Sequence, residues 1–191
     1  MVLLRCFAAI LLLFTAGCSS MTPEQFDGRE PRLLIEDYLA GETRAWGLFV
    51  DRFGNLRREF VVDITGTWDG KTLTLVEDFV YSDGEEQQRI WTINKLDDHR
   101  YEGTAADVIG TAEGVSYGNA LNWRYTLALK VGDSIWNVHF DDWMFLQPDD
   151  VLMNRARVSK FGFDIGEVTI FFQKVPAQNA AALEGHSIAA E

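Results

Sequence analysis

The chain reads as an all-β protein, a single antiparallel up-and-down barrel of about eight to ten strands, and three observations say so. Apolar and aromatic residues recur at period two between about residues 34 and 175. Gly, Asn and Asp pairs break that pattern at hairpin spacing, and no segment sustains a strong 3.6-residue period.

Taken in order, Leu33 to Leu39 is the one stretch with the makings of a short helix, and Trp46, Leu48 and Val50 then share one face of a strand. Phe60, Val62 and Ile64 lead to Trp68. Leu73, Leu75, Phe79 and Tyr81 alternate with Thr72, Thr74 and Asp78. Ile90 and Trp91 open a strand that continues through Ile93. Leu121, Trp123, Tyr125, Leu127 and Leu129 form the clearest stripe, followed by Trp136, Val138 and Phe140, and finally by Val168, Ile170 and Phe172. The breaks Gly54-Asn55, Asp69-Gly70, Asp83-Gly84 and Gly132-Asp133 hold residues that tolerate positive φ. Pro23, Pro31, Pro148 and Pro176 all fall outside the strands. A meander this wide curls, and closure removes its edges, so a barrel of lipocalin type is expected, with a two-sheet sandwich as the alternative. A membrane-spanning barrel is disfavoured, because Arg57, Glu59 and Asp63 share one face of a single strand.

Ahead of the barrel, Arg5, the apolar run Phe7 to Phe14 and the small residues Ala16-Gly17 describe a secretory signal peptide too short to span a bilayer. Ala16-Gly17-Cys18 resembles the lipobox of bacterial lipoproteins, with Thr15 where that box usually carries leucine. The resemblance implies acylation of Cys18 and cleavage before it; Ser19 after the cysteine leans towards the outer membrane, facing the periplasm. The expected organisation is a signal peptide over 1–17, a lipidated N-terminus and tether over 18–33, the barrel over 34–175 and a flexible tail over 176–191.

The formal net charge is −12, and removing the leader takes away only Arg5, making the remainder one unit more negative. This argues against nucleic acid, and against an anionic membrane surface as an electrostatic partner. Contact with the membrane is expected through lipid chains instead. With Cys6 in the leader, Cys18 is the one cysteine left, so neither a disulfide framework nor a cysteine metal site is expected. His99, His139 and His186 show no ligand spacing, and neither a phosphate-cradling glycine pattern nor a nucleophile elbow is present. No cofactor is expected.

The residues with functional potential lie on the strands. Arg89, Arg124 and Arg155 interrupt apolar or aromatic runs. In a barrel cavity they would meet a fatty-acid carboxylate or phosphate head, with the tail among aromatics such as Trp91 and Trp123; the alternative is structural ion pairing or exposure. In His139-Phe140-Asp141-Asp142-Trp143-Met144, alternation turns Asp142 inward with Phe140, and His139 and Asp141 outward. A buried Asp142 needs a partner, for which Arg124 or Arg155 are the candidates. The segment Tyr101 to Gly114 is poor in bulk; its small residues either admit a ligand or a bulge, or pack beneath facing tryptophans.

Ala45-Trp46-Gly47, Glu77-Asp78-Phe79, Asp83-Gly84, Arg89-Ile90-Trp91, Gly118-Asn119-Ala120, Asp141-Asp142-Trp143-Met144, Asn154-Arg155-Ala156 and Lys160-Phe161-Gly162 together resemble a family of uncharacterised bacterial lipoproteins, a domain of unknown function, over roughly residues 25–175. The resemblance implies an envelope lipoprotein with a calycin-like β-fold and brings no catalytic residues. The resulting expectation is a non-catalytic, outer-membrane-anchored carrier of a lipid-like or apolar ligand, held by Arg89, Trp91, Trp123, Arg124, Asp142 and Arg155. Two alternatives are a partner-binding lipoprotein with a filled core, and an enzyme using Asp142 or His139 with Arg124.

Overall fold

A computed structural model describes residues 21–176. The expected signal peptide, the lipidation site Cys18 and nearly all of the expected C-terminal tail lie outside the described residues. Ten strands follow in order: β1 (Gly41–Asp51), β2 (Leu56–Trp68), β3 (Thr72–Tyr81), β4 (Glu86–Lys95), β5 (Arg100–Thr104), β6 (Ala112–Tyr117), β7 (Ala120–Val131), β8 (Ser134–Leu146), β9 (Val151–Lys160) and β10 (Phe163–Lys174). Each pairs antiparallel with the next, and β1 pairs with β10, closing the barrel from Thr43↔Lys174 to Asp51↔Gly166. Closure leaves no sheet edge to template another chain.

The four glycines of the expected turns adopt positive φ, between 58° at Gly132 and 96° at Gly70, which is why they are tolerated there. Alternation then sorts the side chains. Val62, Ile64, Leu73, Leu75, Trp91, Leu121, Trp123, Leu127 and Val138 are buried in the interior.

Along β1 as far as Leu48 the larger side chains take the outside, while Phe49 further along turns into the cavity. Trp46 and Leu48 are exposed, while Thr43 and Ala45 are buried within. The reason lies at Gly47, where a Cβ would stand 2.2 Å from the Phe60 ring, so the interior is already filled from β2. Trp46 pairs with Phe171, and Phe171 with Met153, so an apolar strip runs across the outside of β1, β10 and β9. An apolar interior with a uniformly wet exterior therefore describes most of the wall and not this part of it.

One end of the barrel is closed by the chain that enters it. A short helical turn, α1 (Ile35–Tyr38), lies across that end with Leu33, Ile35, Tyr38 and Leu39 buried. The Leu33 backbone N–H donates to the Gly118 carbonyl, and the Ser116 hydroxyl donates to the Leu33 carbonyl at 2.9 Å. The Tyr38 hydroxyl reaches the Asp150 carbonyl at 2.8 Å, and burial pushes its pKa up to about 12. Glu36 is buried beneath, held by the Lys95 ammonium and by the Tyr101 hydroxyl at 2.8 Å. Gly66 makes room for this crossing, since a Cβ there would stand 1.8 Å from the Leu39 carbonyl oxygen. Part of the stretch that reads as a tether is thus built into the fold: Phe26 is buried against Trp143 and Phe145 on the outside of β8, at ring separations of 5.9 and 5.4 Å.

Candidate functional site

Above the plug the barrel is hollow. A cavity of about 690 Å³ runs from Ile35 and Leu39 at the closed end to Glu85, Lys130 and Val131 at the open one. Its walls are mainly apolar: Leu75 and Phe79 from β3, Trp91 and Ile93 from β4, Leu121, Trp123 and Tyr125 from β7, Phe140 from β8, and Ile170 and Phe172 from β10. The aromatics are fixed by one another. Trp91 meets Trp123 and Tyr125 edge-on at 5.7 and 5.4 Å, and Tyr125 stacks on Phe140 at 4.9 Å.

Polar residues gather towards the open end, among them Arg58, Glu85 and Gln87, and two polar groupings lie deeper in the wall. On β4, the parity that turns Trp91 inward also turns Arg89 inward, directly opposite Glu77 on β3. The loop after β5 folds back through a bridge between Val108 and Leu127, which delivers Asp107 to the same place. The Arg89 guanidinium donates to Asp107 through Nε at 3.1 and 3.0 Å and through Nη2 at 2.8 Å, and lies 3.9 Å from Glu77. Burial pushes the Glu77 carboxyl up to about 7 against the opposing pull of Arg89. For Arg89, burial disfavours the charge, but Glu77 and Asp107 outweigh it and hold the guanidinium firmly charged.

The second grouping is Asp142 with Asn154, inward-facing residues of β8 and β9. The Asn154 amide donates to Asp142 Oδ2 at 3.3 Å, while Asp142 Oδ1 and Asn154 Oδ1 are buried with no hydrogen-bond partner. Asp142 is only 5% exposed, and burial, with Asp141 adding a like charge, pushes its pKa up to about 7. Buried polar groups in folded proteins are nearly always paired, so two unpaired acceptors buried behind one cavity wall are a chemical signal.

Of the six residues expected to touch a ligand, the structure brings Arg89, Trp91, Trp123 and Asp142 to the cavity. Arg124 and Arg155 do not join them. Arg124 sits between inward-facing Trp123 and Tyr125 and so points outward, and Arg155 pairs with Glu167 on the outer surface. Neither is the partner of Asp142, whose place is taken by Asn154. His139 also faces outward, so the grouping of Asp142, His139 and Arg124 needed for acid–base chemistry does not form. Glu77 and Asp107 complete the polar lining although neither stands out in the sequence. Glu77 was legible as the residue between Leu75 and Phe79 of one inward stripe, whereas Asp107 depends on how a loop folds. The small-residue segment serves packing at two positions: a Cβ on Gly103 or Gly114 would stand 2.6 or 2.4 Å from the Trp123 indole.

Among solved structures, the barrel is similar to a protein of unknown function of the DUF3598 family from Nostoc punctiforme, with a TM-score of 0.56 and 14% identity, over 75% of this chain and 50% of that one. This chain thus spans half the length of that relative. It is likewise similar to the S-type phycobiliprotein lyase CPES from Guillardia theta, with a TM-score of 0.56 and 8% identity, over 74% of this chain and 91% of that one. At such identities the likeness is one of fold. At the level of sequence, residues 12–174 match the family of proteins of unknown function DUF3833, and the chain belongs to that family.

Proposed function

We propose that this member of the DUF3833 family is a carrier that holds an elongated apolar molecule inside its barrel, tethered by lipid on Cys18 to the periplasmic face of the outer membrane. The observation that carries the first part is the hollow interior. A cavity of about 690 Å³ lined by aromatic and aliphatic side chains has the size and character of a small-molecule site. The likeness to a phycobiliprotein lyase supports such a use of the barrel and brings no lyase chemistry with it.

The polar groupings refine the ligand. Arg89 is already neutralised by Asp107 and Glu77, and Arg58 nearer the mouth is paired with Asp83 and Glu85, so neither guanidinium is free for a carboxylate or phosphate head. The unpaired acceptors on Asp142 and Asn154, buried just behind the wall, would be satisfied by a ligand that donates a hydrogen bond once these side chains turn to meet it, such as a hydroxyl or amide N–H on a long apolar body. The second part rests on the leader and on Ala16-Gly17-Cys18.

Organic extraction and mass spectrometry of the full chain purified from membranes test the carrier. A discrete long-chain species is expected to co-purify, and to be lost in an Ala45→Phe variant that fills the cavity while melting as a folded protein. An empty barrel that also takes up no long-chain alcohol in vitro would overturn the reading. Cys18→Ala is expected to abolish incorporation of labelled palmitate; unchanged incorporation removes the anchor.

A second reading, attachment to a protein partner, is favoured by the outer strip of Trp46, Phe171 and Met153. Crosslinking from that strip in intact envelopes captures a defined partner if it holds and nothing if it does not.

A further inference from the structure

The open end of the barrel is built unevenly. Since β1 pairs with β10 and β9 with β8, the β1–β2, β9–β10 and β7–β8 turns are neighbours around the rim. At or beside their tips stand Phe53 (74% exposed), Phe161 (88%), Phe163 (72%) and Ile135 (72%). Such side chains on hairpin tips bury little apolar surface within the fold. Phe161 is the sharpest case: its φ of 52° lies in the left-handed region, which a bulky residue enters only at a cost. Next to the β1–β2 turn, across the β2–β3 pairing, the β3–β4 turn Ser82-Asp83-Gly84-Glu85 is acidic, with Arg58 of β2 paired to Asp83 and Glu85.

The apolar tips carry cations of their own. The Arg52 guanidinium lies over the Phe53 ring at 4.7 Å, and Lys160 Nζ lies 3.4 Å from the Trp136 ring centre and 5.3 Å from that of Phe161. Neither cation, nor Lys130 nearby, forms an ion pair among the described residues. Of the acids at these turns, Asp51 is held by Asn55 and Arg57, and Asp164 by Arg157; Asp133 has no such partner among the described residues.

We infer that this rim docks on a phospholipid surface, the four apolar side chains entering the acyl boundary while Arg52, Lys130 and Lys160 meet the phosphates. Shape and charge point to lipid. The tips are separate protrusions around an opening, and a soft phase accepts them individually where a rigid partner would need a matching socket for each. Long cationic side chains that lie along aromatic faces keep their heads at the polar boundary when those faces are buried. The opening between the tips is the mouth of the apolar cavity, so docking gives a molecule a path between bilayer and barrel that avoids water. Net acidity of the whole chain opposes attraction to anionic membranes, so insertion is driven by the apolar tips and a zwitterionic surface suffices. Phe26 lies at the other end, where a Cβ on Gly118 beside the plug would stand 1.9 Å from the Phe26 carbonyl oxygen, so the rim and the plug are at opposite ends of the barrel.

Hydrogen exchange of the full chain, with and without phosphatidylcholine vesicles, tests this. Exchange at residues 51–55, 131–135 and 160–163 is expected to slow about tenfold or more with vesicles, while the closed-end turn 69–71 is unchanged. The triple variant Phe53→Ser, Phe161→Ser, Phe163→Ser is expected to lose that protection at an unchanged melting temperature. Unprotected tips on membrane-associated protein would overturn the inference. So would protection that appears without vesicles and grows with protein concentration, since the occupant is then a second copy. Protected tips on a barrel that binds no lipid leave the docking surface standing and remove the carrier reading; a loaded barrel with unprotected tips does the reverse.

Discussion

Trp123 lies so close to Gly114 that a Cβ on the glycine would stand 2.4 Å from the indole. Gly103 makes the same allowance from the neighbouring strand, so two missing side chains on β5 and β6 form the seat of one tryptophan on β7. Gly114→Ala is expected to cost about 1–3 kcal/mol through overpacking. In a Trp123→Phe background the same substitution should cost less than half as much, because the smaller ring vacates the contested space. Chemical denaturation of the four proteins measures the coupling, and additive costs would show that the seat does not exist.

Asp142, together with Glu77, sets the response to pH between about 4 and 7. Its ordinary carboxyl value of 3.8 is pushed up to about 7 in the folded chain, so between those values the native state binds the proton that the unfolded state has released. Stability therefore falls as pH rises from about 4 to about 7 and is flat beyond. A shift of this size corresponds to on the order of 4 kcal/mol. Asp142→Asn is expected to be more stable than the parent at pH 7.5, with the advantage shrinking to little at pH 4. A constant difference across that range would show that Asp142 does not ionise at a cost.

How far the sequence reaches is clearest on β7. Five alternating residues made the inward stripe legible, and alternation alone turned Asp142 inward on β8. The same rule excludes Arg124 from the cavity, because adjacent residues of one strand cannot share a face and Trp123 already points in. The chemistry of Arg124 suits a carboxylate, but its parity places it on the outer face. Arg155 was less decidable, since its direction depends on the β8–β9 register, which places it opposite Trp143 on the outside. Asp107 was beyond reach, because a loop bridge at Val108 puts it beside Arg89. The outward Trp46 was hidden for a similar reason: Gly47 and Phe60 fill the interior across two strands, and no single strand records that.

Arg89 and the other two arginines should separate sharply on substitution. Arg89→Met leaves Glu77 and Asp107 in the cavity without their guanidinium, and a loss of about 3 kcal/mol is expected, as for other partly buried charges stripped of a partner. Arg124→Ala and Arg155→Ala, both on the outer surface, are expected to stay within about 0.5 kcal/mol of the parent. Urea denaturation at pH 7.5 measures all three. Equal losses would mean that the inner grouping contributes no more than the surface.

The plug should respond to pH in the opposite sense from Asp142. Burial works to raise the Glu36 carboxyl, but the Lys95 ammonium, its own backbone N–H and the Tyr101 hydroxyl together hold it below its ordinary 4.5. Glu36 therefore contributes stability that is present above about 4.5 and is lost as the solution is acidified through its lower folded value. Lys95→Met removes the nearest cation and leaves the buried carboxylate with only hydroxyl and backbone donors, at an expected cost of about 2–4 kcal/mol near neutrality. An unpaired buried Glu36 prefers its proton, so the variant should gain more stability towards pH 4.5 than the parent gains through Asp142 and Glu77. Adding Glu36→Gln to Lys95→Met should remove that extra gain and restore part of the lost stability, since no charge is then left buried at the plug. Denaturation curves from pH 4 to 8 on the three proteins decide the matter. If Lys95→Met melts like the parent throughout, the helical turn merely rests on the barrel and does not seal it.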